Sequence, residues 1–409
     1  MRSITIVGAG QSGLQLGIGL LDAGYQVRIV SNRTPEEIYN GRISSSQCMF
    51  GAALAREHDR GIDFWSQQCP DIREMSFTAA DGNGGKVMSW ASRLDLPAQS
   101  VDQRLKIPRW IAEFVRYGGE LEIRDASVDD LEGYRRESDL VLVAAGKGGI
   151  ANLFERDAER SFFATPQRAL ALTYVTGMTP RTLAPAISLN LVPGVGELIV
   201  FPALTTTGPC EIMLLEGVPG GPMDCFSGVT DPQQHLEVTK RAVAEHVPWE
   251  AERCRDIQLT DDLGVLTGRF PPTVRRPVGV LPSGAAVLGM ADVVVLNDPI
   301  TGQGSNNASK CAASYLSSIL EHADRPFDER FMHETFERYW DYARYVVNWT
   351  NILLGPPPQH VLELIVGAGS NPRIARRFVN GFDDPRDFFL WFMDHTSAQA
   401  YLNELVTVA

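Results

Sequence analysis

The sequence lacks the cysteine and histidine patterns that build metal sites and disulfide frameworks. Its six cysteines and seven histidines are scattered over 409 residues, with no CxxC pair and no HExxH motif. Such spacing argues against a zinc site and against a small fold held by disulfides. We therefore expect no bound metal.

Basic residues and long apolar runs are also scarce. Lysine and arginine number 37 against 50 acidic residues, and the formal net charge is -13. This charge would repel a nucleic-acid backbone or an anionic membrane. The longest apolar stretches, 140–146 and 285–296, are too short to span a bilayer, and the N-terminus lacks the pattern of a secretion signal. We expect a cytoplasmic protein without nucleic-acid or membrane partners.

What is present is the composition of an ordinary globular protein, with 44% hydrophobic and 21% charged residues. A chain of this length favours two domains around a shared cleft. The alternation of apolar segments predicts an α/β protein with a Rossmann-type domain, an inserted α+β substrate domain built on a β-sheet, and a helical C-terminal region.

A glycine loop near the N-terminus gives the strongest local signal. Ser3–Val7 is a β-branched run, Gly8 to Gly13 follow as Gly-Ala-Gly-Gln-Ser-Gly, and an apolar helix then leads to a strand at Tyr25–Val30. Strand, glycine loop, helix and strand within about 30 residues is the context of a dinucleotide-binding fingerprint. Gly8 permits the turn, Gly10 lets the backbone approach a pyrophosphate, and Gly13 allows close packing of helix on strand. The loop predicts FAD binding.

The acid that usually holds the ribose after the second strand is missing. The chain reads Val30-Ser31-Asn32-Arg33 at this point. Ser31 or Asn32 could still bond to the ribose and Arg33 could contact the adenylate, but the nucleotide should be held less firmly.

Four later segments complete the predicted cofactor site and its cover. Ser138–Gly146 reads as a second buried strand of the cofactor domain, and the region from Pro166 to Val265 reads as a β-sheet over the substrate. A strand ending at Asp292 and a loop at Gly302-Gln303-Gly304 that opens a helix suit the flavin end of the cofactor.

Taken together, these segments resemble the epoxidase component of two-component styrene and indole monooxygenases. The tags that carry the resemblance follow the family's order and spacing: Ile6-Val7-Gly8-Ala9-Gly10 with Gly13-Leu14, Gly41-Arg42, Asp102-Gln103-Arg104-Leu105 with Pro108, Pro166-Gln167-Arg168-Ala169, and Asp298-Pro299 with Gly302-Gln303-Gly304 and Asn306. The resemblance covers nearly the whole chain.

The resemblance also assigns the site residues. The strand after Arg42 reads Ser45-x-Gln47-x-Met49, which is similar to the indole-oxidising branch, where the styrene type has Asn-x-Val-x-His. Ile72, Met75 and Ala98 stand where the styrene type has tyrosine, histidine and serine, and imply a substrate pocket. Ser45, Gln47 and Met49 are expected to alternate on one face of a strand, and with Asn306 they are the implied catalytic residues. The implied FAD-binding residues are Gly8, Gly10, Gln11, Ser12, Gly13, Leu14, Ser31, Asn32, Arg33, Arg42, Asp292, Pro299, Gly302, Gln303, Gly304 and Ser305.

The implied activity is a monooxygenation driven by reduced FAD. Members of the family receive reduced FAD from a separate NADH-dependent flavin reductase. The reduced FAD reacts with O₂ to form a C4a-hydroperoxide, which epoxidises an aromatic alkene. Indole is the favoured substrate, giving indole 2,3-epoxide, then indoxyl and indigo, and styrene is a further one. Gln47 could accept a hydrogen bond from the indole N–H. A homodimer is left open.

Three alternatives stay open at this stage. A self-sufficient NAD(P)H-dependent hydroxylase would carry an Asp-Gly motif, but the chain reads Ala145-Gly146-Lys147-Gly148 there. A flavin-dependent halogenase would need GWxWxIP, which the stretches around Trp90 and Trp110 do not supply. A non-enzymatic FAD-binding subunit would have no substrate pocket above the flavin.

The resemblance and the segment pattern also suggest domain boundaries. We expect a discontinuous FAD-binding domain at 1–75, 99–165 and 270–325, a substrate domain at 76–98 and 166–269, and a helical region at 326–409 that packs on the FAD-binding domain.

Overall fold

A computed structural model describes residues 2–145, 148–181 and 185–407. Its strands are β1 (Ser3–Val7), β2 (Gln26–Ser31), β3 (Cys48–Met49), β4 (Ile72–Ala80), β5 (Lys86–Ser100), β6 (Glu120–Ile123), β7 (Leu140–Val143), β8 (Ala169–Thr176), β9 (Ala186–Val192), β10 (Gly196–Thr205), β11 (Gly208–Gly217), β12 (Gln258–Leu259), β13 (Val265–Gly268), β14 (Thr273–Val274), β15 (Val278–Val280), β16 (Ala286–Gly289) and β17 (Val295–Leu296). Its helices are α1 (Gln11–Asp22), α2 (Pro35–Tyr39), α3 (Gly51–Asp59), α4 (Gln103–Arg116), α5 (Val128–Glu137), α6 (Pro232–His246), α7 (Pro248–Ala251), α8 (Gly304–His322), α9 (Glu329–Leu354), α10 (Gln359–Gly367), α11 (Pro372–Asn380) and α12 (His395–Thr407). Short 3₁₀ helices span Gly148–Leu153, Ala291–Val293, Pro299–Thr301 and Asp387–Leu390.

The first sheet has six strands in the order β15-β16-β7-β1-β2-β6. All are parallel except β15, which pairs antiparallel with β16 at one edge. The strand at Leu140–Val143 is completely buried, as expected for a parallel sheet covered on both faces. It is shorter than the predicted 138–146: Ser138 and Asp139 bond to the start of β1, and Gly146 lies outside the described residues. The predicted strand at 25–30 is shifted by one residue.

The second sheet has nine strands, with β12-β8-β11-β10-β9-β4-β5-β3 in order and β13 also paired to β8. Its pairs are antiparallel apart from β4 with β9. One face packs on α6. The sequence predicted only strands in this region and missed this helix. The signal was present, because Asp231 accepts from Gln234 N as an N-cap and Pro232 follows at the first helical position.

The C-terminal helices divide between the two sheets. The first part of α9, from Phe331 to Val347, belongs to the core of the first sheet. Residues of α10, α11 and α12 share a core with the other face of the second sheet, through side chains such as Val361, Phe378 and Leu405. The packing of the whole region on the FAD-binding domain stays a prediction.

The α/β fold class with a Rossmann-type sheet, a second sheet and a helical C-terminal region is confirmed. The exact domain boundaries stay a prediction. Within the described residues, no helix combines the length and the apolar character needed to cross a membrane. The same residues contain no group of three or more His, Cys, Asp or Glu placed to hold a metal ion.

Candidate functional site

The loop between β1 and α1 has the geometry that its glycines predict. Gly8 has φ +127°, and a Cβ there would lie 2.8 Å from the backbone of Ala144. A Cβ on Gly13 would lie 2.1 Å from Gly8 O, whereas one on Gly10 would meet nothing within 4 Å. Packing therefore requires Gly8 and Gly13, whereas Gly10 faces open space at the start of α1.

The start of α1 is free to receive an anion. Gly10 is its N-cap, no side chain caps the helix, and no acidic residue lies in the first turn. Uncapped N–H groups and the positive end of the helix dipole suit a pyrophosphate. Ser12 is buried and Leu14 packs in the core, so Leu14 could contribute only its backbone to cofactor binding.

The end of β2 presents exposed polar residues instead of an acid. Ser31 is buried, and its hydroxyl donates to Arg33 O at 2.6 Å. Asn32 and Arg33 are exposed. Because the one hydrogen of Ser31 is used within its own turn, any donation to a ribose at this point would come from Asn32 or Arg33.

A second uncapped helix start lies at the other glycine loop. Gly302 has φ +63° with open space at the Cβ position, Gln303 is the N-cap of α8 without a side-chain cap, and no acid lies in the first turn. Gln11 Nε2 donates to Ser305 O at 2.8 Å, which joins the start of α1 to the start of α8. The two loops therefore form one continuous surface.

This surface fits a flavin dinucleotide. One open helix start suits the pyrophosphate, and the other suits the polar end of a flavin. The buried Oε1 of Gln303 has no hydrogen-bond partner among the described residues and could accept from a flavin N–H. Asp292 is exposed and lies in the short 3₁₀ helix Ala291–Val293 that follows β16. Pro299 and Gly304 flank the same loop.

Arg42 makes its side-chain hydrogen bond away from these two helix starts. Its side chain is exposed, and Nη1 donates to Val265 O at 3.1 Å. Arg42 thus fastens the segment before β3 to an edge strand of the second sheet. Its assignment to FAD binding stays a prediction.

The segment before β3 is held by a closed hydrogen-bond network. Gln47 Nε2 donates to Tyr174 OH at 2.7 Å, Tyr174 OH donates to Ser45 O at 2.8 Å, and Ser45 Oγ donates to Gln47 Oε1 at 2.9 Å. Gln47 has φ +31°, a conformation that residues other than glycine rarely adopt. Only Cys48 and Met49 form the strand. The prediction that Ser45, Gln47 and Met49 alternate on one strand face is wrong, because the backbone turns at Gln47.

An apolar cavity lies on the other side of this segment, between the second sheet and the loop before α8. It has an empty volume of about 370 Å³. Its lining is apolar apart from a few small polar groups, and comprises Ser46, Cys48, Phe50, Met75, Ile187, Leu189, Ile199, Phe201, Leu214, Pro299, Ile300, Thr301, Gly302 and Phe382. Burial raises the pKa of the Cys48 thiol to about 12, so this thiol stays neutral. The apolar lining suits the ring of a small aromatic molecule.

Of the predicted pocket residues, Met75 alone is part of this lining. Ile72 and Ala98 are completely buried and stand opposite each other on β4 and β5, in the core beneath the cavity. Met49 is also completely buried, and its Sδ accepts from Lys106 Nζ at 3.2 Å. Lys106 in turn forms a buried ion pair with Glu57 at 2.7 Å. Met49 therefore contacts a buried charged pair and not the cavity.

Asn306 joins the cavity segment to the second glycine loop. Its Oδ1 accepts from Phe50 N at 2.9 Å, and its Nδ2 donates to Cys48 O at 2.9 Å and to Gly302 O at 3.0 Å. Both amide hydrogens are used, and the side chain is 1% exposed. Asn306 therefore fixes the distance between β3 and the loop at Gly302.

Two larger cavities lie elsewhere and are more polar. One, with an empty volume of about 1140 Å³, lies at the strand ends near Arg181, Glu211 and Arg253. The other, of about 1050 Å³, lies between α8 and α9 near Lys310 and Arg338. Neither is lined by Gly302 or β3, and so the smaller apolar cavity is the candidate substrate site.

The sequence interpretation missed Ser46, Cys48, Phe50, Thr301 and Phe382. The first three each stand next to a predicted residue, and the residue types give no sign of which set lines the cavity. Phe382 comes from the C-terminal region, where the sequence offers no pattern that distinguishes it from the core aromatics. The tryptophans of the halogenase alternative are core residues: Trp90 Nε1 donates to Ile365 O and Trp110 Nε1 to Ile62 O.

Styrene monooxygenases are among the known proteins that this chain resembles. Residues 146–253 match the family model of the domain proposed to bind substrate in styrene monooxygenase A. Over 395 residues the chain is 29% identical to styrene monooxygenase StyA of Pseudomonas fluorescens. The aligned residues cover 94% of this chain and 93% of the relative.

Solved structures show the same fold at low identity. The flavin-dependent brominase Bmp2 superposes with a TM-score of 0.68 at 13% identity and covers 99% of both chains. The 2-methyl-3-hydroxypyridine-5-carboxylic acid oxygenase superposes with a TM-score of 0.56 at 13% identity, covering 92% of this chain and 93% of the other. The alternative of a non-enzymatic FAD-binding subunit is wrong, and the chain is a flavin-dependent monooxygenase, similar to styrene monooxygenase, with FAD as its cofactor.

Proposed function

We propose that this chain epoxidises a small aromatic alkene, using O₂ and reduced FAD delivered by a separate NADH-dependent flavin reductase. The observation that carries the proposal is the apolar cavity, whose wall at Pro299–Gly302 leads directly into the open start of α8. Similarity to styrene monooxygenase over 94% of the chain supports the epoxidase assignment. We further propose that it works in the cytoplasm, where NADH is available.

Reduced FAD, when bound, supplies the electrons that activate O₂, so the protein needs no acid, base or nucleophile of the hydrolase kind. The residues of the chain bind, orient and exclude water. Phe50, Phe201 and Phe382 enclose the ring of the substrate, and Asn306 fixes the position of β3 relative to Gly302. The start of α8 stabilises negative charge on the pyrimidine side of the flavin.

A separate reductase is favoured over direct reduction by NAD(P)H. The exposed Asn32 and Arg33 replace the usual ribose acid, which fits a cofactor that arrives and leaves. The place of the missing Asp-Gly motif reads Ala145-Gly146-Lys147-Gly148, of which Gly146 and Lys147 lie outside the described residues. A stopped-flow trace of this chain with FAD and NADPH alone would distinguish the two: reduction of the flavin would contradict our proposal.

Indole is the substrate that we favour within this class. The proposal rests on the pattern Ser45-x-Gln47-x-Met49 with Ile72, Met75 and Ala98, which is similar to the indole-oxidising branch. Gln47 bonds to Ser45 and Tyr174 and does not line the cavity, so a hydrogen bond to an indole N–H would fall to Ser46 or Thr301 in the cavity lining.

The experiment is a competition between indole and styrene. The chain is incubated with FAD, a flavin reductase, NADH and equal concentrations of both substrates, and indigo and styrene oxide are quantified. Faster formation of indigo supports the indole preference. Styrene oxide as the main product refutes the preference but keeps the epoxidase proposal, and hydrogen peroxide as the only product refutes both.

A further inference from the structure

A cluster of charged residues continues the cavity wall along the second sheet. On the antiparallel pair β10 and β11, Ile199 stands opposite Leu214 and Glu197 opposite Glu216. Ile199 and Leu214 line the cavity. Because side chains alternate along a strand and directly opposite residues share a face, the two glutamates lie on the cavity face, one residue pair further along.

One arginine neutralises one of these glutamates. Arg168 donates from Nε and Nη2 to the two carboxylate oxygens of Glu197, at 2.7 and 2.9 Å, with both residues buried. Its remaining bonds go from Nη1 to the backbone oxygens of Gln167 and Leu354. A bidentate pair of this kind is satisfied within itself, so Arg168 makes no direct bond to Glu216.

Glu216 is buried without a partner. It is 0% exposed, and neither carboxylate oxygen has a hydrogen-bond partner within the part of the chain that the structure describes. Burial raises the pKa of Glu216 well above its ordinary value, the negative charges of Asp298 and Glu197 raise it further, and Arg168 opposes them. An isolated carboxylate in such a place is strongly disfavoured, so the surroundings of Glu216 favour its neutral, protonated form.

Asp298 begins the turn that forms another part of the cavity wall. Its Oδ1 accepts from Ile300 N at 3.1 Å, and Pro299, Ile300 and Thr301 line the cavity before the chain enters Gly302. Burial raises the pKa of Asp298 to about 6, with Arg168 lowering it and Glu197 raising it. Asp298 is therefore mostly ionised at neutral pH and caps the turn with a charge-assisted hydrogen bond.

We propose that Glu216 is a positioning residue: held as a neutral carboxylic acid, it lets Asp298 remain ionised and hold the turn Pro299–Thr301 against the substrate cavity. The cluster has three carboxylates and one guanidinium. Ionising Glu216 would add a second uncompensated negative charge beside Asp298, and moving the proton to Asp298 would weaken the cap. This inference rests on the proposed substrate site.

The first test is the pH dependence of indole binding to the FAD-containing protein, measured by calorimetry. We expect affinity to fall severalfold below about pH 6, as Asp298 is protonated, and again at alkaline pH, as Glu216 ionises. Glu216→Gln should remove the alkaline fall and keep the acid one, while Asp298→Asn should remove the acid fall. Glu211→Gln is the matched control, because Glu211 lies on the same strand with its side chain on the opposite face and should leave both falls in place.

The second test does not need a substrate. Infrared spectroscopy at about pH 8 should show the C=O stretch of a buried, protonated carboxylic acid in the wild type and in Glu211→Gln, and its loss in Glu216→Gln. Persistence of the band in Glu216→Gln, or its absence from the wild type, overturns the proposal. A band that behaves as expected together with an unchanged alkaline fall in Glu216→Gln overturns the positioning role. If indole does not bind at any pH, the substrate assignment fails, and the infrared result alone decides the protonation of Glu216.

Discussion

At the scale of single residues, neighbours along the segment before β3 face different surroundings. Ser46, Cys48 and Phe50 line the candidate substrate cavity. Ser45 and Gln47 bond with Tyr174, while Met49 faces the buried pair of Lys106 and Glu57. Each predicted residue thus stands one position away from a lining residue, and the residue types alone do not reveal this, because both sets mix polar and apolar side chains.

The first prediction tests whether Cys48 lines the cavity and Met49 does not. Cys48→Leu should weaken binding of indole or styrene by about tenfold or more, because added methyl groups occupy space that the ring needs. Met49→Leu, a volume-conserving change outside the cavity, should have little effect on binding and cost less than about 1.5 kcal/mol of stability. Calorimetric affinities of both variants check this. A larger loss of affinity in Met49→Leu than in Cys48→Leu would contradict the assignment of the cavity wall.

The second prediction concerns Tyr174, whose hydroxyl bonds to both Gln47 and Ser45. Tyr174→Phe should lower the free energy of unfolding by about 1 to 3 kcal/mol, because it leaves a buried amide donor without its acceptor. Urea unfolding at neutral pH measures this loss. Gln47→Leu with Tyr174→Phe, which removes both polar partners, should be less destabilised than the sum of the single changes. Additive losses would show that the network does not hold the segment.

At the scale of elements, the starts of α1 and α8 form the cofactor surface, and the Asn306 side chain joins β3 to the loop before α8. The sequence could predict α1 and its glycine loop, since strand, spaced glycines and helix follow one another within about 30 residues. It could also predict that α8 begins after Gly302. It could not predict that Gln11 bonds to Ser305 or that Asn306 joins β3 to the loop, because both contacts link residues more than 250 positions apart.

The glycine loop gives a prediction with its own control. Gly13→Ala should destabilise the fold by about 3 kcal/mol or more, because its Cβ would meet Gly8 O. Gly10→Ala should change the melting temperature little but weaken FAD binding by about tenfold or more, since its Cβ points into the open space at the start of α1. Thermal unfolding and titration of FAD by fluorescence check the two variants. A Gly10→Ala protein with unchanged FAD affinity would refute the placement of the pyrophosphate.

At the scale of the whole molecule, the candidate substrate cavity is assembled from three separate parts of the chain. The second sheet supplies its floor, the loop before α8 one wall, and Phe382 of the C-terminal region another. Composition and segment pattern predict the two sheets and the fold class. The meeting of the C-terminal helices with the second sheet depends on tertiary packing among aromatic side chains, which have no distinguishing periodicity in the sequence.

Buried carboxyl groups make the stability of the molecule depend on pH. Burial raises the pKa of Glu211 from 4.5 to about 7, so its stabilising proton is fully bound below about pH 4.5 and is lost as pH rises through 7. Glu211→Gln should therefore raise the free energy of unfolding by about 1 to 3 kcal/mol at about pH 8 and change it little at about pH 4. Urea unfolding at both pH values is the measurement, with the exposed Glu252→Gln as control. Equal effects at the two pH values would contradict the burial of this charge.

The central claim is that this protein oxygenates its substrate with reduced FAD supplied from outside. The most direct measurement is a single turnover in which the chain is loaded anaerobically with photoreduced FAD and then mixed with O₂ and styrene, without reductase or NADH. We predict styrene oxide in an amount comparable to the FAD supplied, and indigo when indole replaces styrene. Quantitative release of hydrogen peroxide with no epoxide from either substrate would contradict the account.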